Sequence, residues 1–153
     1  MACHTDGVRP DRRLTPRQNI EAECARRGKP AVVAGCVDLL AGRHDVDDEL
    51  VLALGGAHAM LVLAGREGGR GGYWPRVWAA RGLLHAWDDR ATAAITRATA
   101  DEAWRVREMA AKVIARHGVA GAFEAVAGLR QDPVPRVRAA AGRAVTALTA
   151  RGL

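Results

Sequence analysis

The sequence contains no serine, and aromatic residues make up only 4% of its 153 positions. The absence of serine excludes catalysis by a serine nucleophile. Alanine is abundant, and because alanine favours helices and disfavours strands, an all-β fold is excluded as well. A hydrophobic content of 49% argues against intrinsic disorder, and the length suits one compact domain.

Cysteines and long apolar segments are also scarce. Cys3, Cys24 and Cys36 form no regular framework, which predicts free thiols in a reducing cytoplasm. The N-terminal residues include no apolar stretch typical of a signal peptide. The most apolar run, residues 50–65, is too short to span a membrane. We therefore expect a soluble cytoplasmic protein with no membrane partner, in which residues 1–14 are disordered and residues 15–151 form a single domain.

The net charge is +6 at pH 7, and of the 23 basic residues only Lys29 and Lys112 are lysines. The excess of arginine is typical of GC-rich coding, which weakens it as evidence for nucleic-acid binding. Residues 103–153 nevertheless contain nine basic and three acidic side chains. The C-terminal third of the chain therefore carries most of the positive field.

Two segments near the C-terminus resemble each other without a gap, residues 101–114 and residues 132–145. A third copy is found at residues 74–87, and a fainter fourth at residues 30–40. The valines that anchor the copies are 45, 29 and 31 residues apart, and periods near thirty are typical of helical repeats. The aligned residues of the last two copies include Asp101 and Asp132, Val106 and Val137, Arg107 and Arg138, and Ala110 and Ala141.

Helical periodicity and boundary signals predict that the whole domain consists of helices. Thr15 and Pro16 begin the first helix as N-cap and first-turn proline, with Gln18 at the capping-box position, and Gly28 ends it. The other predicted helices are residues 30–42, 46–54, 57–65, 74–88, 91–99, 103–117, 119–130 and 134–151.

The pattern Asp-x-x-x-x-Val-Arg followed by alanine resembles the HEAT-repeat family, specifically over residues 73–150 and loosely before residue 46. The chain also looks like short stand-alone HEAT-repeat proteins of GC-rich bacteria. This resemblance implies an all-α fold, a right-handed α-solenoid of about four helix pairs, with the best-defined repeats at residues 57–88, 91–117 and 119–151. It also implies that four matching residues tie one repeat to the next, namely Asp101, Arg107, Asp132 and Arg138.

A polar cluster interrupts the apolar face of the third copy. Arg81, His85 and Asp88 lie within about 60° of one another on a helical projection. One interpretation is structural, with Arg81 and Asp88 satisfying each other. The other is a small-ligand pocket that also includes Tyr73 and lies beneath the glycine-rich loop at residues 65–72. That loop lacks the P-loop pattern, and we interpret it as a flexible connection.

A basic stripe is the second candidate site, because Arg76, Arg105 and Arg136 occupy the same position in three copies. Cations interleaved with tryptophans suit a solvated face, a protein interface or a nucleic-acid surface. HEAT-like folds include DNA glycosylases that use a Trp-x-x-x-Asp pair, but this pair is absent here. The nearest match is Trp104 with Glu108.

We predict a binding module for another protein, since tryptophan and arginine dominate interface hot spots. Nucleic-acid binding is the first alternative, and a small-ligand pocket or enzyme is the second. The acidic run at residues 44–49 is interpreted as helix capping, and no metal or cofactor is expected. The predicted partner-binding residues are Trp74, Arg76, Trp78, Trp104, Arg105 and Arg136.

Overall fold

A computed structural model describes residues 13–152, and this part of the chain is all-helical, with no β-strand. Every predicted helix is present in it, with ends shifted by a few residues. The predicted disorder of residues 1–14 lies outside the described residues, except for the exposed Arg13 and Leu14. No helix between residues 13 and 152 has the length and apolarity needed to cross a membrane. The helices are α1 (Pro16–Arg27), α2 (Lys29–Leu40), α3 (Asp48–Gly55), α4 (Ala57–Leu63), α5 (Trp74–His85), α6 (Thr92–Ala98), α7 (Trp104–His117), α8 (Phe123–Gly128) and α9 (Pro135–Ala150).

The start of α1 follows directly from its sequence. The Thr15 side chain accepts a hydrogen bond from the Gln18 backbone N–H at 3.2 Å, and the Gln18 side chain accepts one from the Thr15 N–H at 2.9 Å. Pro16 occupies the first turn, where its missing N–H costs nothing. Gly28 ends the helix at a φ of 91°, a conformation that favours glycine, and α2 begins at the next residue. The predicted capping box is therefore confirmed.

Most of the core lies between helices of the second half of the chain. Helix α5 packs against α2 and α7, and α7 packs against α5 and α9. Helices α1 and α3 pack on α5, α6 packs on α7, and α8 packs on α9. Ile20, Leu83, Ile114 and Leu148 are all 0% exposed, and each such side chain contributes about 1.5–3 kcal/mol on burial. The succession of α5, α7 and α9 positions the surface residues described below.

Small residues allow these helices to approach closely. Pairs of buried alanines recur on α5, α7 and α9, namely Ala79 and Ala80, Ala110 and Ala111, and Ala140 and Ala141. On α5, a Cβ atom added at Gly82 would lie 2.6 Å from Leu54 Cδ2 and 2.8 Å from Cys36 Sγ. Because interiors are close-packed, a larger residue at this position would displace α2 or α3.

A buried ion pair joins the starts of α7 and α9. Arg107 donates from Nε to Asp132 Oδ2 at 2.8 Å and from Nη2 to Oδ1 at 3.2 Å. Asp132 Oδ1 also accepts the N–H of Val134, the residue that precedes α9, at 2.9 Å. Burial opposes ionisation, but the hydrogen bonds from Arg107 and Val134 keep the pKa of Asp132 below its ordinary value. The predicted structural role of Arg107 and Asp132 is thus confirmed.

A similar ion pair joins the start of α5 to the residues before α7, but its arginine occupies a different position of the repeat. Arg76 donates from Nε to Asp101 Oδ2 at 2.8 Å and from Nη2 to Oδ1 at 3.2 Å. In the sequence alignment Arg76 matches Arg105, whereas the position of Arg107 is filled by Trp78. Because Trp78 cannot pair with a carboxylate, the arginine two residues earlier does so. The Arg76 side chain is only 16% exposed, so most of it is used in this internal ion pair and only its edge reaches the larger cleft described below.

At the opposite ends of the helices, arginine and histidine side chains bond to carbonyl groups at the end of another helix packed beside them. The last carbonyls of a helix lack intrahelical donors, and the helix dipole favours a cation beside them. The contacts are Arg81 Nη2 to Leu54 O of α3 at 2.6 Å, His117 Nε2 to Leu83 O and Leu84 O of α5 at 2.9 and 3.1 Å, and Arg151 Nη2 to Arg116 O of α7 at 3.4 Å. These polar residues therefore stabilise the packing of successive helices.

Candidate partner-binding site

Three aromatic rings surround the guanidinium group of Arg105 near the starts of α5 and α7. Its Cζ atom lies 4.4 Å from the ring centroid of Trp104, 5.5 Å from that of Trp74 and 5.9 Å from that of Tyr73. Each cation–π contact at an exposed site contributes about 0.5–1 kcal/mol. Among residues 13–152, no carboxylate pairs with Arg105. The rings therefore position a cation whose N–H donors have no acidic partner.

A second cation lies against the same tryptophan. The Arg136 Cζ atom of α9 is 5.5 Å from the ring centroid of Trp104, so Arg105 and Arg136 both contact its ring. The prediction that these two arginines share one surface is confirmed. We refer to this surface as the aromatic–arginine face, which consists of Tyr73, Trp74, Trp104, Arg105 and Arg136.

One carboxylate partly balances the charge of this face. Glu108 Oε1 lies 3.2 Å from Lys112 Nζ and 3.2 Å from Arg136 Nη2. The Glu108 side chain is only 10% exposed, whereas that of Arg136 is 68% exposed. Arg143, seven residues further along the exposed side of α9, has no ion pair within the described residues. The face therefore keeps a net positive charge.

Two adjacent clefts border the face. The larger has a volume of about 370 Å³ and the smaller one of about 120 Å³. Tyr73, Glu102 and Ala103 line both clefts, so the clefts lie side by side, and we refer to them together as the groove. Gly71, Gly72 and Arg76 complete the larger cleft, and Trp104 and Arg105 complete the smaller.

Trp78 supports this face from the core. It is 2% exposed, so the prediction that it contacts a partner is wrong. Its ring stacks on Trp74 with centroids 6.2 Å apart and meets the edge of the His58 ring at 5.2 Å. His58 Nε2 in turn contacts the Glu67 carboxylate. These contacts hold Trp74 in position from behind.

The candidate small-ligand pocket is not assembled as its residues suggested. Arg81 bonds to the end of α3, and its Nε atom is buried without a hydrogen-bond partner. Asp88 pairs instead with Arg90, from Nη2 to Oδ2 at 2.8 Å, and accepts the Arg90 backbone N–H at 3.0 Å. The predicted pairing of Arg81 with Asp88 is therefore wrong. Tyr73 precedes the first residue of α5, whereas His85 is its last, so these two side chains lie at opposite ends of one helix.

The glycine-rich loop is held at two points. Arg70 donates to Val46 O at 3.1 Å and to His44 O at 3.3 Å, and it also contacts the Asp48 carboxylate. Glu67 makes the contact with His58 described above. Arg70 is therefore engaged internally, and the loop is anchored to the start of α3.

The acidic run before α3 caps that helix, as predicted. Asp47 Oδ1 accepts the Leu50 N–H at 2.9 Å, and both Asp47 oxygens bond to Arg27 at 2.8 and 2.9 Å. The hydrogen bonds from Arg27 lower the pKa of Asp47 to about 2. Residues 13–152 contain no group of three or more His, Cys, Asp or Glu side chains arranged to hold a metal ion.

Two histidines at the C-terminal ends of α5 and α7 predict how stability varies with pH. Burial lowers the pKa of His117, although its hydrogen bonds to Leu83 O and Leu84 O oppose this, and burial together with nearby Arg17, Arg116 and Arg81 lowers the pKa of His85. The unfolded chain therefore takes up protons first as the pH falls below the ordinary value of 6.5. We therefore expect the melting temperature to decrease as the pH is lowered from 7.5 to 5.5.

The matched test replaces both histidines with glutamine, which keeps an N–H donor for the carbonyls. The variant H85Q/H117Q should show a smaller decrease in melting temperature, measured by circular dichroism, over the same pH interval. An unchanged decrease would show that other groups control it.

The sequence pairs Glu108 with Trp104 but does not predict its role as an ion-pair partner, and it does not identify two other contributors to the site. Glu108 is four residues from both Trp104 and Lys112, a spacing that signals contact on one helix face. Glu102, with a side chain 91% exposed, borders both clefts, and no sequence signal marks it. His58 reaches the tryptophans only through the packing of α4 beside α5, which no local pattern indicates.

Compared with known proteins, the chain matches no family model, no curated protein and no solved structure.

Proposed function

We propose that this protein is a right-handed α-solenoid of about four HEAT-like helix pairs that binds another protein. The similar segments in the sequence support the repeat organisation, because α5, α7 and α9 each carry an anchor valine and pack in that order. The ion pairs between successive helix starts, Arg76 with Asp101 and Arg107 with Asp132, support it further.

The observation that carries the binding function is the aromatic–arginine face beside its groove. Tryptophan, tyrosine and arginine are the residues that contribute most to protein interfaces, and here they are held together before any partner arrives. Pre-positioned side chains lose less conformational entropy on binding. The half-buried Trp104 lies at the centre of this face, between Arg105 and Arg136.

Three features favour a protein partner over nucleic acid. Arg105 and Arg136 both contact the Trp104 ring, which hinders the stacking of bases on it. Arg76 forms an ion pair with Asp101, so its charge is not available to a phosphate group on the basic stripe. Glu108 neutralises part of the charge of Lys112 and Arg136, which reduces attraction for phosphates.

We further propose that the protein acts in the cytoplasm. Among the described residues Cys24 and Cys36 are free thiols, which suits a reducing compartment. Burial raises the pKa of Cys36 to about 12, so this thiol is not a nucleophile near neutral pH.

Site-specific photo-crosslinking tests the proposed surface. A benzophenone amino acid replaces Arg143, which lies about two helical turns after Arg136 on the exposed side of α9, and in a matched control it replaces Arg97 on α6. Both arginines are exposed and have no ion pair within the described residues. In cells that naturally make the protein, we expect a discrete adduct from position 143 that resists nuclease and is absent at position 97. A nuclease-sensitive adduct would support nucleic-acid binding instead, and equal adducts at both positions would contradict the proposed surface.

Replacing Trp104 with alanine should remove this adduct while the fold persists. Because hot-spot residues at the centre of an interface each contribute about 2 kcal/mol or more, the partner's affinity should fall at least about thirtyfold. The circular dichroism spectrum should remain that of the wild type. A retained adduct in this variant would exclude Trp104 from the interface.

A further inference from the structure

We infer that the aromatic–arginine face recognises an acidic segment of the partner protein. This inference rests on the proposed function and specifies the chemistry of the partner. A carboxylate would bind the N–H donors of Arg105, and an adjacent apolar side chain would enter the smaller cleft.

The charges on the face support an acidic ligand. Arg105 has no carboxylate partner among residues 13–152, and neither does Arg143. Arg136 and Lys112 share the single carboxylate of Glu108. Arginine binds carboxylates with two parallel hydrogen bonds, and its planar group can stack on a ring at the same time. Arg105 can therefore donate hydrogen bonds to a carboxylate while its guanidinium group stays in contact with the Trp104 ring.

The groove supports a peptide as the bearer of that carboxylate. The smaller cleft, of about 120 Å³, has room for roughly four water molecules, which is enough for one aliphatic side chain. Tyr73, Ala103 and Trp104 provide its apolar walls, and Arg105 lies at its edge. The opposing charge, Glu102, lines both clefts but is 91% exposed, and the guanidinium group of Arg76 at 3.7 Å offsets part of its charge. A carboxylate and an apolar group side by side suit an acidic peptide.

The test is a selection of random 12-residue peptides displayed on phage against the immobilised protein. Selected peptides are then synthesised with a fluorescent label, and their affinities are measured by fluorescence polarisation at low and at physiological salt. The same measurements are made on R105Q/R136Q, on W104A and on R97Q/R130Q. The last variant removes two exposed arginines elsewhere on the surface and therefore matches the change in net charge.

We expect the selected peptides to be net negative, with at least one apolar residue beside an acidic one. Their affinity should fall about tenfold or more in R105Q/R136Q and should change little in R97Q/R130Q. Physiological salt should weaken the binding, because the attraction is partly electrostatic. A labelled 20-base-pair DNA duplex should bind more weakly than the peptides at physiological salt.

Failure of this inference can be distinguished from failure of the proposed function. Neutral or basic peptides whose binding requires Trp104 would overturn the acidic preference and leave the protein-binding surface in place. Absence of selected peptides, or binding that is unaffected in W104A and in R105Q/R136Q, would overturn both. Tighter binding of the duplex than of any peptide, lost in R105Q/R136Q, would assign the face to phosphates.

Discussion

Replacing Trp78 with alanine is expected to lower the free energy of unfolding by about 3–5 kcal/mol. The Trp78 side chain is 2% exposed and packs tightly against Gly55, where an added Cβ would lie 2.6 and 2.7 Å from its ring atoms, so its removal leaves a large cavity in a close-packed core. The Trp74 ring would also lose its stacking partner. Urea unfolding followed by circular dichroism measures the change without relying on tryptophan fluorescence.

W104A is the natural control, because Trp104 is only partly buried and its ring contacts the guanidinium groups of Arg105 and Arg136. Its free energy of unfolding should fall by no more than about 1–2 kcal/mol, the sum expected for two cation–π contacts at exposed sites. W78A would thus lower the free energy of unfolding, whereas W104A would mainly lower the affinity for the partner. If W78A were as stable as the wild type, Trp78 would not belong to the core.

Removing the Asp132 carboxylate has the second large expected effect. The variant D132A leaves the Arg107 guanidinium, whose side chain is 15% exposed, without its acidic partner, and the Val134 N–H before α9 loses its hydrogen-bond acceptor. Breaking a buried pair from one side costs about 3–5 kcal/mol, because a charge remains buried and unpaired. The free energy of unfolding, measured with urea, should fall by this amount.

A double-mutant cycle of R107M, D132A and R107M/D132A distinguishes the ion pair from the hydrogen bond to Val134. In R107M/D132A no charge is left unpaired, so stability should recover in part relative to D132A, and the remaining deficit of about 1 kcal/mol reflects the lost hydrogen bond to the Val134 N–H. E102A is a matched removal of an exposed carboxylate, 3.7 Å from Arg76, and should change stability by less than about 0.5 kcal/mol. If the deficit of R107M/D132A equalled the sum of the deficits of R107M and D132A, the two side chains would contribute independently.

Helix positions and the structural pairs were predictable because their signals are local and periodic. Thr15 with Gln18 lies within one turn, and the apolar periodicity of α7 and α9 is visible in the residues themselves. The structural role of Arg107 and Asp132 is what the resemblance to HEAT repeats implies for these positions of the similar segments. The shared surface of Arg105 and Arg136 was also predictable from the sequence. The two residues occupy the same position in two copies, and equivalent positions on neighbouring helices face the same way.

The differences between expectation and structure have one physical origin. Arg76 and Trp78 were placed by register alone, but burial of a large ring at position 78 leaves Asp101 to be paired by Arg76. Likewise Arg81 and Asp88 share a helical face in projection, yet α5 ends at His85, and Asp88 turns toward Arg90. A charged side chain pairs with whichever group the packing brings nearest, and that choice is not local.

The sequence by itself determined that the chain is helical, where its helices begin and end, and which face of each is apolar. Those properties depend on backbone propensity, caps and periodicity within about one or two turns. Only the tertiary structure decided which polar residues are structural and which remain available. His117 and Arg81 bond to carbonyls of the preceding helices, whereas Arg105, held on three rings, remains without an acidic partner among residues 13–152. Such outcomes depend on distances between helices, which no single segment encodes.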